Sequence, residues 1–418
     1  MKIKKMLVVV VLLALSSLVL SCKNTDSNDH PQIKAADLMS GIVPNKPDGK
    51  AVDSLFVEKT AGFFVELFKH TLGDKQNALI SPVSVLLALS MTANGADNNT
   101  LSQMEHVLGG GIPLAELNRY LYAYVHGLPN EAKSKLHIAN SIWFRDGFHV
   151  KKDFLQVNAN YYAAKAYQSA FDEETLKDIN LWVKLNTDGM IDTILDKIQP
   201  GEVMYLINAV AFEAEWQKIY DDASVQKNEF TNIHGKKQTV DFLSSRESFY
   251  LEDEHATGFI KPYMNNKYSF VALLPHENIS IEAYIRSLSG AGFINTLQKA
   301  QQAGVSAQLP KFSYQYSISM KEALKTLGMP EAFEPEKADF SKIAHPPPNL
   351  FLSRVLHKSF IDVNERGTKA GAVTAVGVAA TAAPPPEKHV VLNRPFVYAI
   401  VDNATKLPLF MGVLASVE

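Results

Sequence analysis

The chain has 418 residues, of which 46% are hydrophobic, 20% charged and 10% aromatic, with a formal net charge of −3. That composition is ordinary for a soluble globular protein and ample for a large core. Length alone would suggest two or three domains, and no basic cluster is dense enough to point to nucleic acid as a partner.

Lys2, Lys4 and Lys5 precede an apolar stretch from Met6 to Leu20. That stretch is shorter than the about 20 residues a spanning helix needs, so residues 1–21 read as a secretory signal. Its removal would take three lysines and no acid, moving the formal charge from −3 to −6. The single cysteine, Cys22, follows Val19-Leu20-Ser21. This resembles the lipobox of bacterial lipoproteins, in which small or aliphatic residues precede a cysteine that becomes acylated. The alternative is an ordinary signal peptide with a cysteine nearby by chance. With no second cysteine to pair with, lipidation is the better reading. The expected localisation is an exported lipoprotein of the bacterial cell envelope, periplasmic or surface-exposed, touching the membrane only through its lipid anchor. Residues 23–50 carry Lys23-Asn24-Thr25-Asp26-Ser27-Asn28-Asp29 and two later prolines. Their low hydrophobicity predicts a flexible tether over residues 22–50 rather than packed structure. Fully extended, it could reach roughly 95 Å.

The body is expected over residues 51–418. Leu55, Phe56, Phe63, Phe64, Leu67 and Phe68 recur at helical spacing. Ser81-Pro82 reads as a cap followed by proline at the first helical position, with Val83, Leu86, Leu87 and Met91 on one face until Gly95. A helical pattern runs from Leu176 to Leu195. Strand-like runs dominate later, at Met204 to Phe212, Tyr268 to Leu274 and His389 to Ile400. Helices and strands intermix without regular βαβ alternation, which predicts an α+β fold. No repeat, charge block or linker divides residues 51–418, so one large domain is expected.

Several motifs then fall in a recognisable order. They are Asn77-Ala78-Leu79-Ile80-Ser81-Pro82-Val83-Ser84, Met91-Thr92-Ala93-Asn94-Gly95-Ala96, and Ile138-Ala139-Asn140-Ser141-Ile142-Trp143. Ile179-Asn180, Trp182-Val183, Thr187-Asp188-Gly189, Asn208-Ala209, Phe212 and Trp216 follow. Later come Leu309-Pro310-Lys311-Phe312, Leu327-Gly328-Met329, Asp339-Phe340-Ser341 and Val355-Leu356-His357-Lys358-Ser359-Phe360. Arg394-Pro395-Phe396 and Leu409-Phe410-Met411-Gly412 close the series. Each is weak alone, but in this order over some 360 residues the chain resembles the serpin family. The resemblance implies three β-sheets, about eight or nine helices and an exposed reactive-centre loop. It also implies that Ser84, Asn186 and His357 lie where the central sheet parts, with Trp216 near its upper end, as structural gate residues rather than reactants. Trp143, Trp182 and Trp216 have a plain reading as core, and a buried, hydrogen-bonded histidine is the default for His357.

The most informative stretch runs from Glu365 to Thr381. From Ala370 to Pro386 there are 17 residues without a charge and with no side chain larger than valine. A surface loop is normally polar. The bland reading is a buried Ala/Val strand or helix, but Gly367, Gly371 and Gly377 disfavour a helix and Pro384-Pro385-Pro386 stop a ladder. Thr368, Ala370, Ala372, Thr374, Val376 and Val378 would share one face of a strand, which suits a loop able to slide between two others.

The resemblance gives this a mechanism: the loop is cut as a substrate, a covalent acyl-enzyme forms with the target protease, and the hinge inserts as a new strand. Insertion of about 14 residues at roughly 0.5–1.5 kcal/mol per hydrogen bond gives on the order of 7–20 kcal/mol, comparable with or above the stability of a domain. Hinge residues are Glu365, Gly367, Thr368, Ala370, Gly371, Ala372 and Thr374. Lys369, Gly371 and Val373, with Glu213-Ala214 near Trp216, depart from the family pattern. Spacing from Glu365 puts the reactive bond at Thr381–Ala382, with Ala380 as neighbour; counting back from Pro395 lands near Pro384. Small residues there favour elastase- or subtilisin-like serine proteases over trypsin-like ones. No enzyme motif, metal set or cofactor site is found. The alternatives are a non-inhibitory serpin acting as a binding or carrier module, or a surface lipoprotein using the fold as a scaffold. The chain is expected to be monomeric, with loop–sheet polymers on heating.

Overall fold

The computed structural model describes residues 32–72, 77–131, 133–345, 349–368 and 388–417. Residues 1–31, with the stretch expected to be a signal and Cys22, lie outside them, as do residues 369–387. Chain order runs β1 (Ala36–Asp37), α1 (Ser54–His70), β2 (Ala78–Ile80), α2 (Pro82–Ala93), α3 (Asn98–Gly109) and α4 (Leu114–Gly127). Then follow β3 (Ser134–Arg145), α5 (Lys152–Tyr162), β4 (Lys165–Ser169), α6 (Glu173–Asn186) and β5 (Met204–Glu215). Next are β6 (Val225–Thr231), β7 (Lys237–Glu252), β8 (Ala256–Pro262), β9 (Tyr268–Pro275), α7 (Ile281–Ser287), α8 (Gly290–Gln298), β10 (Gln301–Pro310) and β11 (Phe312–Ser319). Last come α9 (Lys321–Leu327), β12 (Arg354–Val363), β13 (Gly367–Thr368), β14 (Lys388–Val391), β15 (Phe396–Asp402) and β16 (Pro408–Leu414).

Helix α1 forms as its periodicity predicts. Asp53 caps it by accepting the Phe56 N–H, and Phe56, Phe63, Phe64, Leu67 and Phe68 are buried, although Leu55 turns outward. Helix α2 is buried on every side rather than on one face. Ser81 takes the extended cap backbone there, but its side chain makes no capping bond. The helix expected to reach Leu195 ends at Asn186, because Asp188 and Gly189 adopt positive φ and turn the chain. The run from His389 to Ile400 is two strands, broken at Asn393-Arg394-Pro395.

Among the described residues the strands make two hydrogen-bonded sheets. The first has the order β1-β4-β3-β5-β13-β12-β11; the second runs β14-β10-β7-β8-β9-β15-β16-β2, with β6 on β7. Three sheets were expected. The second and third are continuous because the long β7 pairs with β6 and β10 along most of its length and with β8 at its end. Strand β5 is apolar on both faces, as a strand buried on both sides must be. Its residues Tyr205, Ile207, Ala209 and Ala211 pack with Trp143 and Trp182 in the core shared with α6. Met204, Leu206, Val210, Phe212 and Ala214 belong to the main core between the sheets, where the Phe212 ring meets Tyr268 and Phe410.

The tether expectation for residues 22–50 is corrected from Ile33 onward. The segment lacks apolar bulk but docks through its backbone. Asp178 on α6, buried to 3% exposure, accepts the N–H groups of Lys34 at 3.0 Å and Ala35 at 2.7 Å. β1 then adds an antiparallel edge strand to β4. Further along, Asn45 N–H donates to Asn160, Arg119 pairs with Asp48, and Lys50 pairs with Glu116. The body therefore begins near residue 33 rather than 51. Asp178→Ala leaves two backbone donors unpaired and is expected to cost about 1–3 kcal/mol. Limited thermolysin digestion should then cut within residues 33–50 several-fold faster while the body stays intact; equal rates would refute this docking.

Candidate functional site: a parted sheet and its hinge

β5 and β12 are parallel neighbours over only part of their length. Arg354 to Lys358 pair directly with Tyr205 to Ala209. Beyond Lys358 no direct pairs form. At the far end the two residues of β13 stand between them, Thr368 opposite Val363 of β12 and Ala214 of β5, and Gly367 opposite Glu215. The central sheet is thus closed at one end and wedged open at the other.

The hinge reverses out of β12 through a tight turn. The Asn364 side-chain oxygen accepts the Arg366 and Gly367 N–H groups, and the Asn364 N–H donates to the Gly367 carbonyl. Gly367 is required by close approach: a Cβ there would lie 1.9 Å from the Ala214 carbonyl oxygen. Thr368 is buried to 2% exposure, and its hydroxyl pairs with the Tyr263 hydroxyl at 2.5 Å. Its cross-strand neighbour Ala214 belongs to the main core, so Thr368 sits on the inner face of the sheet.

The closed end terminates at a polar cluster. His357 and Asn208 are paired residues of β12 and β5 at that limit, both fully buried. The Ser81 N–H donates to His357 Nε2 at 3.1 Å, so that nitrogen is the acceptor. Nδ1 therefore carries the hydrogen and donates to Asn208 Oδ1 at 2.6 Å. The Asn208 amide in turn donates to Ser84 Oγ on α2 and Asn140 Oδ1 on β3, and the Ser359 hydroxyl donates to the Leu79 carbonyl at 2.6 Å. Five elements, β12, β5, β3, β2 and α2, are tied where the sheet parts. Burial holds the imidazole pKa down to about 3, so it is neutral at any ordinary pH.

Ser84 and His357 are thus brought together, but Asn186 is not. Its amide donates to the Trp182 carbonyl one turn earlier in α6. The asparagine that bonds His357 and Ser84 is Asn208. The signal was available, since a polar residue in the apolar run Met204 to Phe212 needs a buried partner.

Trp216 is fully buried just past β5 and holds the hinge turn. Its backbone N–H donates to the Arg366 carbonyl at 2.7 Å and its indole N–H to the Asn364 carbonyl at 2.9 Å. Tyr263 stacks on it at 4.5 Å between centroids, so one tyrosine touches both the tryptophan and the hinge threonine. Beneath lies a buried ion pair, Lys261 to Glu247 at 3.0 Å, with the ammonium 4.2 Å from the Tyr220 ring centroid. Glu365 pairs with Lys311 at the start of β11. Burial is the largest influence and would raise that carboxyl, but the hydrogen bond and charge of Lys311, with a backbone hydrogen bond, together outweigh it and keep it below the usual range. Nothing in the sequence marks Tyr263, which has its role only through the fold. Ala370, Gly371, Ala372, Thr374, Ala380, Thr381 and Ala382 lie outside the described residues. Among the described residues no cluster of His, Cys, Asp or Glu could hold a metal ion.

Comparison with known proteins places this architecture. The family profile for serpins (serine protease inhibitors) matches residues 58–417. Human Serpin B8 is 30% identical, over 86% of this chain and 98% of its own length. The crystal structure of the thermophilic serpin tengpin in its native state is 55% identical, with a TM-score of 0.89, and covers 92% of this chain and 100% of its own. Tengpin in its latent state is 54% identical and aligns less well, at a TM-score of 0.80, over 88% of this chain and 100% of its own. The chain belongs to the serpin family, whose members are generally protease inhibitors rather than catalytic enzymes.

Two measurements probe the site. Between pH 6.5, where a free imidazole titrates, and about 3, where His357 does, the unfolded chain binds a proton that the folded chain does not. Stability therefore falls as pH drops through that window. His357→Gln should flatten the pH slope of urea unfolding by close to one proton, and an unchanged slope would contradict the neutral, buried assignment. Tyr263→Phe removes only the hydroxyl on Thr368. Hydrogen exchange at the Gly367 and Thr368 amides is expected to quicken about two- to tenfold with little change elsewhere; no change there would mean the contact does not hold the hinge.

Proposed function

We propose that this serpin inhibits its target as a suicide substrate, through cleavage of the loop after Thr368 and insertion of that loop between β5 and β12. The observation that carries the reading is the wedge: the sheet is already open at the hinge end, and Gly367 and Thr368 already occupy the first two positions of an added strand. Each further inserted residue would pair one position earlier along β5. Ala370, Ala372, Thr374, Val376 and Val378 would then follow Thr368 onto the inner face, where only small side chains enter without displacing the core. Lys369 would fall on the opposite face with the α6 side of β5.

In this reading the protease's nucleophilic hydroxyl attacks the carbonyl carbon of Thr381. The bond to Ala382 breaks, the new amine leaves with the proton, and an ester joins protease to hinge. Strand β5 offers 12 positions, of which two are taken. The ten that remain, at about 0.5–1.5 kcal/mol per net hydrogen bond, would supply roughly 5–15 kcal/mol. That is enough to distort the active site of a domain with stability in the same range. A relative 55% identical is known in native and latent states, which supports a chain with two arrangements of one fold. The small residues at 380–382 favour elastase- or subtilisin-like serine proteases, and the same opening would take the loop of a second copy on heating. We read Cys22 as the lipid-bearing residue of an exported envelope protein, supported by its place after a signal-like stretch and by the absence of another cysteine.

Incubation with elastase followed by denaturing electrophoresis tests the reading. A protease–serpin band that survives denaturant is expected. Thr368→Arg, which would bury a charge against Tyr263, should give cleavage with at least about tenfold less of that band. The cleaved wild-type chain should melt at least about 10 °C higher than the intact one. Clean cleavage of wild type without a band or a gain in melting temperature would point instead to a substrate or carrier.

A further inference from the structure

Successive hinge carbonyls are held by one short segment, Trp216 to Tyr220. The Asn364 carbonyl accepts the Trp216 indole N–H at 2.9 Å, the Arg366 carbonyl accepts the Trp216 backbone N–H at 2.7 Å, and the Glu365 carbonyl accepts the Tyr220 N–H at 2.9 Å. Trp216 and Tyr220 are buried, but Gln217, Lys218 and Ile219 between them are exposed. The middle of this strap therefore lacks apolar packing to fix it. Polar contacts hold it to β8 instead. The Gln217 N–H donates to the Pro262 carbonyl at 3.0 Å, and the Lys261 ammonium donates to the Lys218 carbonyl at 3.3 Å.

The Lys261 side chain is 2% exposed and that of Glu247, its partner on β7, 7%. A charge so deep is costly unless it is paired and hydrogen-bonded. The ammonium donates to Glu247 at 3.0 Å as well as to the Lys218 carbonyl, and it lies 4.2 Å from the Tyr220 ring centroid and 5.3 Å from that of Trp216. Glu247 is steadied in turn by the Ser245 hydroxyl at 2.6 Å. One cation thus touches the strap at both aromatic ends and at its middle. The pair also lines a recess of about 120 Å³, with Gln217, Lys218, Pro262 and Asn266, that gives the strap room to shift when the ammonium is absent.

We propose that the Lys261–Glu247 pair is a positioning device for inhibition. Through the strap it keeps Gly367 and Thr368 seated between β5 and β12, and so sets how often an acyl-enzyme ends in insertion rather than hydrolysis. This rests on the inhibitory reading and adds a determinant to it. With the hinge seated, insertion can begin once the loop is cut. With the strap loose, the hinge spends part of its time outside the sheet, and the fraction of molecules able to insert at once falls. Water then reaches the Thr381 ester first. Its oxygen bonds to the carbonyl carbon, the ester bond breaks, and the protease leaves with its hydroxyl restored. That serpin chain is spent as a substrate.

The double variant Lys261→Met/Glu247→Leu tests the proposal. It roughly conserves both volumes and leaves no buried charge unpaired, so the urea midpoint should stay at the wild-type value. Hydrogen exchange at the Trp216 and Tyr220 amides should quicken at least about tenfold. The number of serpin molecules consumed per elastase inhibited should rise at least about threefold. Glu247→Gln keeps the shape and an acceptor for the ammonium but removes the charge, and should lie between in both readouts; it decides the matter if the double variant does not fold. Wild-type exchange rates, or quickened exchange with unchanged consumption, overturn the proposal while the denaturant-stable band still upholds the inhibitory reading. No stable band from the wild type overturns that reading, and the partition with it, whatever the exchange shows.

Discussion

Everything in this molecule turns on five rows of direct pairing between β5 and β12, from Arg354 to Lys358. Under the proposed mechanism they are the part of the ladder that would have to be undone before a strand could enter. Parallel pairing is slightly weaker per residue than antiparallel, and the strand that would replace it runs antiparallel to both neighbours, as β13 already does. On the proposed mechanism, the sheet stands in the weaker of two ladders.

The restraint is polar where the surrounding core is apolar. A neutral imidazole, two asparagines and a serine bond strands β12, β5 and β3 to helix α2. Apolar contacts yield gradually as surfaces slide, whereas a buried hydrogen bond is either made or left unpaired at a cost of about 1–3 kcal/mol. Such a cluster gives the boundary between closed and open sheet a defined position. At the other end the restraint acts in the opposite sense: Asn364, Trp216 and Tyr263 hold the hinge turn inside the sheet, between β5 and β12.

Local periodicity carried α1 and β5, and the ordered motifs carried the family and the α+β class. Three things were not legible, each for a physical reason. The arm at residues 33–50 was read as a tether because packing is recognised by apolar side chains, and this segment docks by backbone hydrogen bonds to Asp178 and β4. Asn186 was assigned to the gate although it serves its own helix. Asn208, which bonds His357, Ser84 and Asn140, is marked in the sequence only by being a polar residue in an apolar strand. Tyr263, just past β8, meets Trp216 and Thr368 only through the fold, the threonine 105 residues away in sequence.

The long β7 has a consequence of its own. By pairing with β6, β10 and β8 it joins what would be separate layers into one continuous sheet. Under the proposed mechanism, a substitution that tightens this second sheet would strengthen intact and inserted forms alike and leave the interval between them untouched. One that tightens the five rows of β5 and β12 would deepen only the starting state. Heat tolerance and inhibitory speed would then respond to changes in different sheets.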